Sequence, residues 1–426
     1  MRRLALTALA VLASSAPLRA QDTTAVRIGI RYDPSQRPGV LVLPVSGAPG
    51  DSLRLIIQRD LDFGDRVVVI TPDAALLATL GAPGAINYPL LAKLGVSRVV
   101  QGTMTPRGLH VAVHDVARAQ VTDVNEFPLP AAVNTRDWRA AVHGVSDQVE
   151  AWITGTQGIA RTRVAFVRGS VVRIVDSDGE EDQAIPMLGE AMSPSWSPSG
   201  GQLLYTTFGV NSRVVLHDLA TGRARAFGQA SNTTNLTATF SPDGNSIVWA
   251  AAGENGSDLF LVPATLDAPA RRITVGRGTD NVQPTFSPDG RRLAFMSSRA
   301  GHPEIYIMDA DGTNTDLLTV ADFGDQNYRS SPEWSPDDRQ VAFQSRIAGK
   351  FQVLAIGLRD RTSKLLTSDG ENKDPSWAPD GRHLVFTSNR SGSSQLWILD
   401  TETGRTRQLT HAAGSRLASW SPRLKP

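Results

Sequence analysis

The chain has 426 residues and no cysteine, which excludes disulfides, thiolate metal sites and a cysteine nucleophile. Neither sign of charge is in excess, because 43 Lys and Arg face 42 Asp and Glu. Nucleic-acid binding needs a basic footprint, so no nucleic-acid partner is expected. No apolar run approaches the ~20 residues that a membrane-spanning helix requires, so no direct membrane span is expected.

The motifs of common catalytic sites are also missing. We find no Gly-x-Ser-x-Gly nucleophile elbow, no Walker motif and no Gly-x-Gly-x-x-Gly fingerprint. His110 and His114 would suggest a metal pair on a helix, but the Val-Ala-Val alternation between them predicts a strand, where they lie roughly 13 Å apart. The Asp-x-Asp-Gly stretches at 176–179 and 309–312 lack the spaced acids and final Glu of an EF-hand and predict tight hairpin turns. The sequence therefore predicts no catalytic residue, no metal site and no cofactor.

The first 20 residues have the pattern of a secretory signal peptide. Arg2 and Arg3 precede an apolar stretch at 4–12, and Ala20 is a suitable cleavage position. The mature chain is then expected outside the cytoplasm, and a bacterial periplasm suits a secreted, disulfide-free protein.

Residues 21–155 predict an arm followed by a small α/β domain. Residues 21–39 are polar and read as a mobile N-terminal arm with one short alternating segment. Residues 40–155 alternate between strand and helix patterns, with Asp51 as a candidate helix cap and a closing amphipathic helix over 137–153. A linker at 156–161 ends the domain.

The rest of the chain repeats an aromatic residue followed by Ser-Pro or Ala-Pro, usually with Asp-Gly next. The six copies are 43 to 48 residues apart, and their aromatic residues are Trp196, Phe240, Phe286, Trp334, Trp377 and Trp420. A period of ~40–50 residues built from short β segments is typical of a β-propeller blade. The pattern therefore predicts an all-β, six-bladed propeller over residues 162–426.

The last copy predicts how such a ring closes. No aromatic-Ser-Pro precedes the strand that begins at Arg163, whereas Trp420 belongs to a copy without a blade of its own. The C-terminal strand should therefore complete the first blade. The repeat aromatics could form a carbohydrate platform, but packing between blades is the favoured interpretation.

The combined pattern resembles the TolB family, periplasmic propeller proteins of the Tol-Pal system. The resemblance rests on the segment 26–30 followed by Arg37-Pro38-Gly39-Val40, on the stretch 94–102, on the junction 158–167 and on the ending Ala418-Ser419-Trp420-Ser421-Pro422. It implies a monomeric scaffold without enzyme activity that supports outer-membrane integrity and invagination during cell division.

The resemblance also implies two partners. The N-terminal arm would bind TolA through Asp22, Val26, Arg27, Ile28, Ile30, Tyr32 and Asp33. The propeller rim would bind Pal, the peptidoglycan-associated lipoprotein, through Thr234, Asn235, Asn281, Val282, Gln283, Tyr328 and Arg329. Thr234 stands near a position where relatives carry a histidine, and Gln283 stands where they carry an acid.

Two other functions stay open from the sequence. The departure at Gln283 fits a propeller paralogue that serves another envelope complex. A propeller-based hydrolase would need an acid–base cluster at the channel mouth, which a sequence cannot show.

Overall fold

The computed structural model describes residues 37–80, 86–208, 212–228, 234–276, 278–319 and 328–425. The predicted signal peptide and residues 21–36 of the predicted arm, with every arm residue assigned above to TolA, lie outside the described residues.

The N-terminal region is one mixed sheet with helices packed on it. Its strands are β1 (Gly39–Val42), β2 (Val68–Val69), β3 (Arg98–Thr105), β4 (Gly108–Asp115) and β5 (Gln120–Phe127). Its helices are α1 (Gly50–Phe63), α2 (Ala74–Leu80), α3 (Tyr88–Lys93) and α4 (Arg136–Thr154). The strand order is β2-β1-β3-β4-β5, with β1 parallel to both of its neighbours.

Helices α1 and α4 share a core with the sheet. Trp138, Val142, Val145 and Val149 recur at helical spacing on α4 and are fully buried beside the strands. Thr135 caps α4 by accepting a hydrogen bond from the Trp138 amide, and Gly155 ends the helix in the left-handed region at φ 76°. The cap predicted at Asp51 is wrong, because α1 begins one residue earlier and Asp51 lies in its first turn.

The region from Arg163 onward consists of four-stranded units that are antiparallel within each unit, as in a β-propeller, and a short parallel pairing joins the third and fourth units into one eight-stranded sheet. The first contains β6 (Arg163–Arg168), β7 (Val171–Asp176) and β8 (Gln183–Ala184), and the second contains β9 (Ala191–Trp196), β10 (Gln202–Thr207), β11 (Val214–Asp218) and β12 (Ala224–Phe227). The third unit contains β13 (Thr234–Phe240), β14 (Ser246–Gly253), β15 (Gly256–Pro263) and β16 (Arg271–Arg272). The fourth contains β17 (Thr279–Phe286), β18 (Arg292–Ser297), β19 (Glu304–Asp309) and β20 (Asp316–Leu317). The fifth unit contains β21 (Arg329–Trp334), β22 (Gln340–Ile347), β23 (Lys350–Gly357) and β24 (Ser363–Leu365). The sixth contains β25 (Asn372–Trp377), β26 (His383–Ser388), β27 (Gln395–Asp400) and β28 (Thr406–Gln408), and the final strand is β29 (Ser415–Trp420).

The final strand pairs with the first unit, as the sequence predicts. β29 is antiparallel to β6, with Ser415 opposite Arg168 and Trp420 opposite Val164, which gives the order β29-β6-β7-β8. We call the strand of each unit that carries a repeat aromatic its inner strand.

The repeat residues form the predicted turns and core. In the third unit the Gly244 amide donates to the Ser241 carbonyl at 2.9 Å, which closes the Ser-Pro-Asp-Gly turn. All six repeat aromatics are buried. The indole of Trp196 donates to the Ser419 carbonyl at 3.0 Å and that of Trp377 to the Glu333 carbonyl at 3.1 Å, each on a neighbouring inner strand. The aromatics therefore pack between units, which confirms the core interpretation over the carbohydrate platform.

The histidine pair lies on a strand, as predicted. His110 and His114 both belong to β4. The ring of His114 is buried and bonded to the Tyr88 hydroxyl at 2.9 Å and to the Gln101 amide oxygen at 3.2 Å. Both of its nitrogens are therefore committed to the fold.

Candidate functional site: the propeller channel and the junction

The inner strands line one common cavity of about 170 Å³. Each inner strand contributes three consecutive residues, at positions three, two and one before its repeat aromatic. The ladder of every inner strand shifts register at this point, so each carries a β-bulge. Bulges re-aim side chains and are common beside functional sites.

At these bulges, residues other than glycine adopt a left-handed backbone conformation. In five of the inner strands, the third residue before the repeat aromatic has φ between 51° and 57°. These residues are Ser193, Gln283, Ser331, Asp374 and Leu417. Such backbone is strained for residues other than glycine, and most of these residues also precede a proline, which normally favours an extended conformation. Strain of this kind persists only where neighbouring contacts hold it in place.

Hydrogen bonds from the bulges to neighbouring units provide that support. The Gln283 amide N–H donates to Thr237 Oγ1 at 3.0 Å, and Gln283 Nε2 donates to Ser331 Oγ at 3.1 Å. The Ser331 amide returns a bond of 2.8 Å to Gln283 Oε1. The Asp374 amide donates to Gln344 Oε1 at 2.9 Å. The channel wall is thus a bonded set of polar residues rather than a collection of free side chains.

Two carboxyl groups line the channel. Desolvation raises the pKa of Glu333 to about 7, against the lowering effect of the Ser376 hydroxyl. Desolvation also raises the pKa of Asp374, against nearby Lys373 and the hydroxyls of Thr387 and Ser331. The channel therefore gains negative charge as the pH rises through neutrality.

The structure separates the predicted rim residues into two groups. Asn235 and Asn281 are buried five residues before their repeat aromatics. Asn235 Nδ2 donates to the Ser212 carbonyl at 2.7 Å, and Asn281 Oδ1 accepts from Ser297 Oγ at 2.9 Å. Both amides are engaged within the propeller, because Asn235 bonds across to the second unit, whereas Asn281 bonds to β18 of its own unit and to β15 of the preceding one. Val282 is also buried.

The other predicted rim residues are accessible or line the channel. Thr234 is exposed, and Tyr328 retains 40% of its surface. Gln283 belongs to the channel wall described above. Arg329 is half-buried and forms an ion pair of 2.8 Å with the buried Glu304.

Tyr328 lies in a small aromatic patch that the sequence did not reveal. Its ring meets Phe351 edge-on at a centroid distance of 5.6 Å, and the Lys373 ammonium lies 5.0 Å from the Phe351 ring. The Arg346 amide bonds to the Tyr328 carbonyl, so the hairpin between β22 and β23 belongs to the same end of the propeller. We call Tyr328, Phe351 and Lys373 the rim patch.

A second unusual feature is the junction between α1, α4 and the propeller turns. We call Asp60, His143 and Asp178, with Arg59 and Arg139, the first junction cluster. His143 Nδ1 lies 2.8 Å from Asp60, and Arg139 lies 2.6 Å from Asp178, which also pairs with Arg59. Burial opposes a charge on His143, but the nearby carboxylates, Asp60 first, raise its pKa to about 9.

The second junction cluster consists of Asp65, Asp380, Arg382, His383, Asp400 and Arg405. His383 Nδ1 lies 2.8 Å from Asp380, Arg382 lies 2.5 Å from Asp400, and Arg405 lies 2.7 Å from Asp65. Burial again opposes the charged imidazole, but Asp380 and its neighbours raise the pKa of His383 to about 9. The spacing of carboxylates and imidazole in both clusters would admit a metal ion. Arginines already neutralise Asp65, Asp178 and Asp400, however, so this donor set suits ion pairing better than a dication.

The predicted linker is held firmly at this junction. Asp147 on α4 accepts hydrogen bonds from the amides of Ala160 at 2.6 Å and Arg161 at 3.0 Å. Arg423 donates to the carbonyls of Gln157 and Gly158 at 3.0 and 3.1 Å. The segment between the two regions is thus pinned from both sides.

The sequence analysis missed the junction residues, although one signal was present. The fifth repeat reads Trp-Ala-Pro-Asp-Gly, with Ala378 where other copies have serine. The serine normally bonds to the turn aspartate, as Ser287 Oγ does to Asp289 at 2.6 Å. Because residue 378 is alanine and offers no hydroxyl, Asp380 instead pairs with His383 and Arg66 at the junction. A departure from the repeat therefore marks a contact outside the repeat.

Among the described residues, no helix has the length and apolar character to cross a bilayer.

Comparisons with known proteins agree on one family. Residues 151–424 match the family described as the TolB β-propeller domain. The Tol-Pal system protein TolB of Polaromonas naphthalenivorans is 32% identical over 205 residues, covering 44% of this chain and 46% of the relative. That of Coxiella burnetii is 29% identical over 212 residues, covering 45% and 48%. The chain thus spans about half the length of the curated relatives it matches.

A solved structure extends the likeness of the fold. The crystal structure of TolB from Acinetobacter baumannii has a TM-score of 0.77 and 24% identity, covering 91% of this chain and 97% of that one. At this identity the likeness shows a shared fold.

Proposed function

Because the chain belongs to the TolB β-propeller family, we propose that it is a non-enzymatic scaffold of a Tol-Pal system in a bacterial periplasm. It binds Pal through the propeller and TolA through the N-terminal arm, and so supports outer-membrane integrity and invagination during cell division. It needs no cofactor and acts as a monomer.

A propeller of six blades, closed by β29, is the framework of this proposal. The pairing of β29 with β6 supports closure, since it joins the last strand to the first unit. The channel supports the blade number, since six inner strands contribute equivalent residues to it.

The observation that carries the Pal assignment is the arrangement of accessible residues at one end of the inner strands. Thr234 and Tyr328 stand at equivalent repeat positions, six residues before Phe240 and Trp334. Equivalent positions of a propeller lie on the same face, so both residues belong to one rim. The rim patch adds a rigid aromatic anchor with a cation beside it, and such anchors dominate many protein interfaces.

In this proposal, Asn235, Asn281 and Gln283 support the rim structurally. Their side chains hold the strands and the bulges on which the contact residues are mounted. A rigid base with variable residues at its edge is how propellers tune specificity.

The arm proposal is tested by deleting residues 21–33 from the mature chain, residues 21–426. In calorimetric titrations with the soluble domains of TolA and Pal from the same organism, we expect the truncated chain to lose TolA binding and retain Pal binding. The thermal melt should stay unchanged, because the deleted stretch is a polar terminal segment by sequence.

The outcomes separate the alternatives. TolA binding that survives the deletion would contradict the arm assignment. If the intact chain has a cooperative melt and binds neither protein, the paralogue of another envelope complex becomes the better account.

A further inference from the structure

A wide groove runs between helix α4 and the C-terminal tail, and its volume is about 950 Å³. The apolar segment 127–130 forms one wall, and the turn 199–201 and the tail residues 423–425 also line the groove. The small residues Ala140, Ala141 and Gly144 of α4 also line it. We call this cavity the tail groove.

Arg161 lies in the tail groove without a bonded counter-charge. Among the described residues, its guanidinium makes no hydrogen bond and no ion pair, and its buried Nε has no acceptor. A Cβ atom at Gly144 would lie only 3.1 Å from Arg161 Nη1, so the glycine lets the guanidinium lie close against α4. Burial lowers the pKa of Arg161, against the raising effect of the nearby Asp147 carboxylate.

The other charges of the tail groove leave it a surplus of cations. Arg163 is paired with Asp176 at 3.0 Å, and Arg423 is bonded to backbone carbonyls. Lys425 is exposed at the end of the tail. The carboxylate of Asp147 is satisfied by two backbone amides, and Asp137 is exposed on the helix. The tail groove thus combines a surplus of cations with an apolar wall.

We propose that the tail groove binds an extended acidic peptide segment of a partner protein, with Arg161 receiving one of its carboxylates. Arginine presents a planar fork of donors that suits a carboxylate, and an unpaired fork in a partly buried groove gains most from such a pair. Apolar side chains between the acids would lie on the 127–130 wall. The volume is at the upper end of the ~300–1,000 Å³ typical of ligand pockets, which leaves room for several residues.

The test uses a fluorescein-labelled octapeptide in which Glu alternates with Leu, followed by anisotropy with the mature chain. We expect saturable binding that weakens as salt is raised, because the attraction is between charges. Arg161→Gln should weaken binding about tenfold or more, the cost of leaving one carboxylate without its partner. Arg339→Gln is the matched control, since the Arg339 side chain is 83% exposed elsewhere on the surface, and it should leave the affinity unchanged.

A second variant keeps the test independent of Arg161. Ala140→Phe should fill the tail groove and weaken binding while leaving every charge in place. The proposal is overturned if the peptide with Gln in place of Glu binds as tightly. It is also overturned if neither groove variant changes the affinity, or if excess inorganic phosphate displaces the peptide completely and so reveals a simple anion site.

Discussion

Deletion of residues 415–426, which contain β29, is expected to abolish the cooperative folding of the propeller region. β29 pairs along its length with β6, and its loss would expose an unpaired edge in the first unit. Trp420 is buried, and its indole donates to Thr162 Oγ1 at 2.8 Å. Removing one buried tryptophan costs ~3–5 kcal/mol, which is comparable with the ~5–15 kcal/mol of a whole domain.

The measurement is a thermal melt followed by circular dichroism. Deletion of residues 425–426 alone is the control and should melt like the full chain, since Lys425 is exposed. Trp420→Ala should fall between the two, with a clearly lower midpoint. A chain that lacks residues 415–426 and still melts cooperatively at the original temperature would show that β29 is dispensable, contrary to this account.

Alkaline pH is expected to destabilise the folded chain through the two junction clusters. The pKa values of His143 and His383 are raised from 6.5 to about 9 in the fold. The stability that comes from a raised histidine pKa is fully present below pH 6.5 and is lost as the pH rises through about 9. Glu150 acts in the same direction, since burial raises its pKa to about 8 and a neutral carboxyl becomes costlier to keep as the pH rises.

The free energy of unfolding is expected to fall between pH 6.5 and pH 9.5, by up to ~3 kcal/mol for each histidine, and the melting midpoint should fall with it. His143→Gln should reduce this difference, because it removes one of the titrating groups. The matched control is His411→Gln, which replaces an exposed histidine and should keep the full difference. A melting midpoint that does not change between the two pH values would contradict protonation of His143 and His383 in the fold.

The repeating part of the fold could be predicted because its signals are local. The aromatic residue, the proline and the turn glycine of each copy act within about ten residues, so Phe286 and Gly290 specify one strand end and one turn by themselves. The pairing of Trp420 with the first unit was also predictable, because the sequence contains one inner strand too many at its end and one too few at Arg163.

The junction could not be predicted, because its partners are far apart in sequence. His143 on α4 meets Asp178 in a propeller turn, and His383 meets Asp65 more than 300 residues away. Histidines and aspartates in turns are usually solvated, so nothing local distinguishes these. The substitution at Ala378 is informative only after the structure shows where the released Asp380 turns.

The bulges were missed for another reason. Ser193, Gln283 and Leu417 share a left-handed backbone but no residue type, so no composition signal marks them. The predicted rim contained Gln283 because residue 283 falls in the stretch that resembles the family's Pal-side loop, and in the structure its side chain bonds to Ser331 in the channel wall. The structure therefore places Gln283 in the channel wall, and its role at a partner-binding rim stays a prediction.

The most direct test of the central claim is a calorimetric titration of residues 21–426 and two alanine variants with the soluble domain of Pal from the same organism. Tyr328→Ala removes the exposed anchor of the rim patch, whereas Leu365→Ala removes a residue of similar exposure on the outer strand β24. The account predicts one-to-one binding that Tyr328→Ala weakens by about tenfold or more and that Leu365→Ala leaves unchanged. Equal affinities for both variants would contradict a Pal site at this rim.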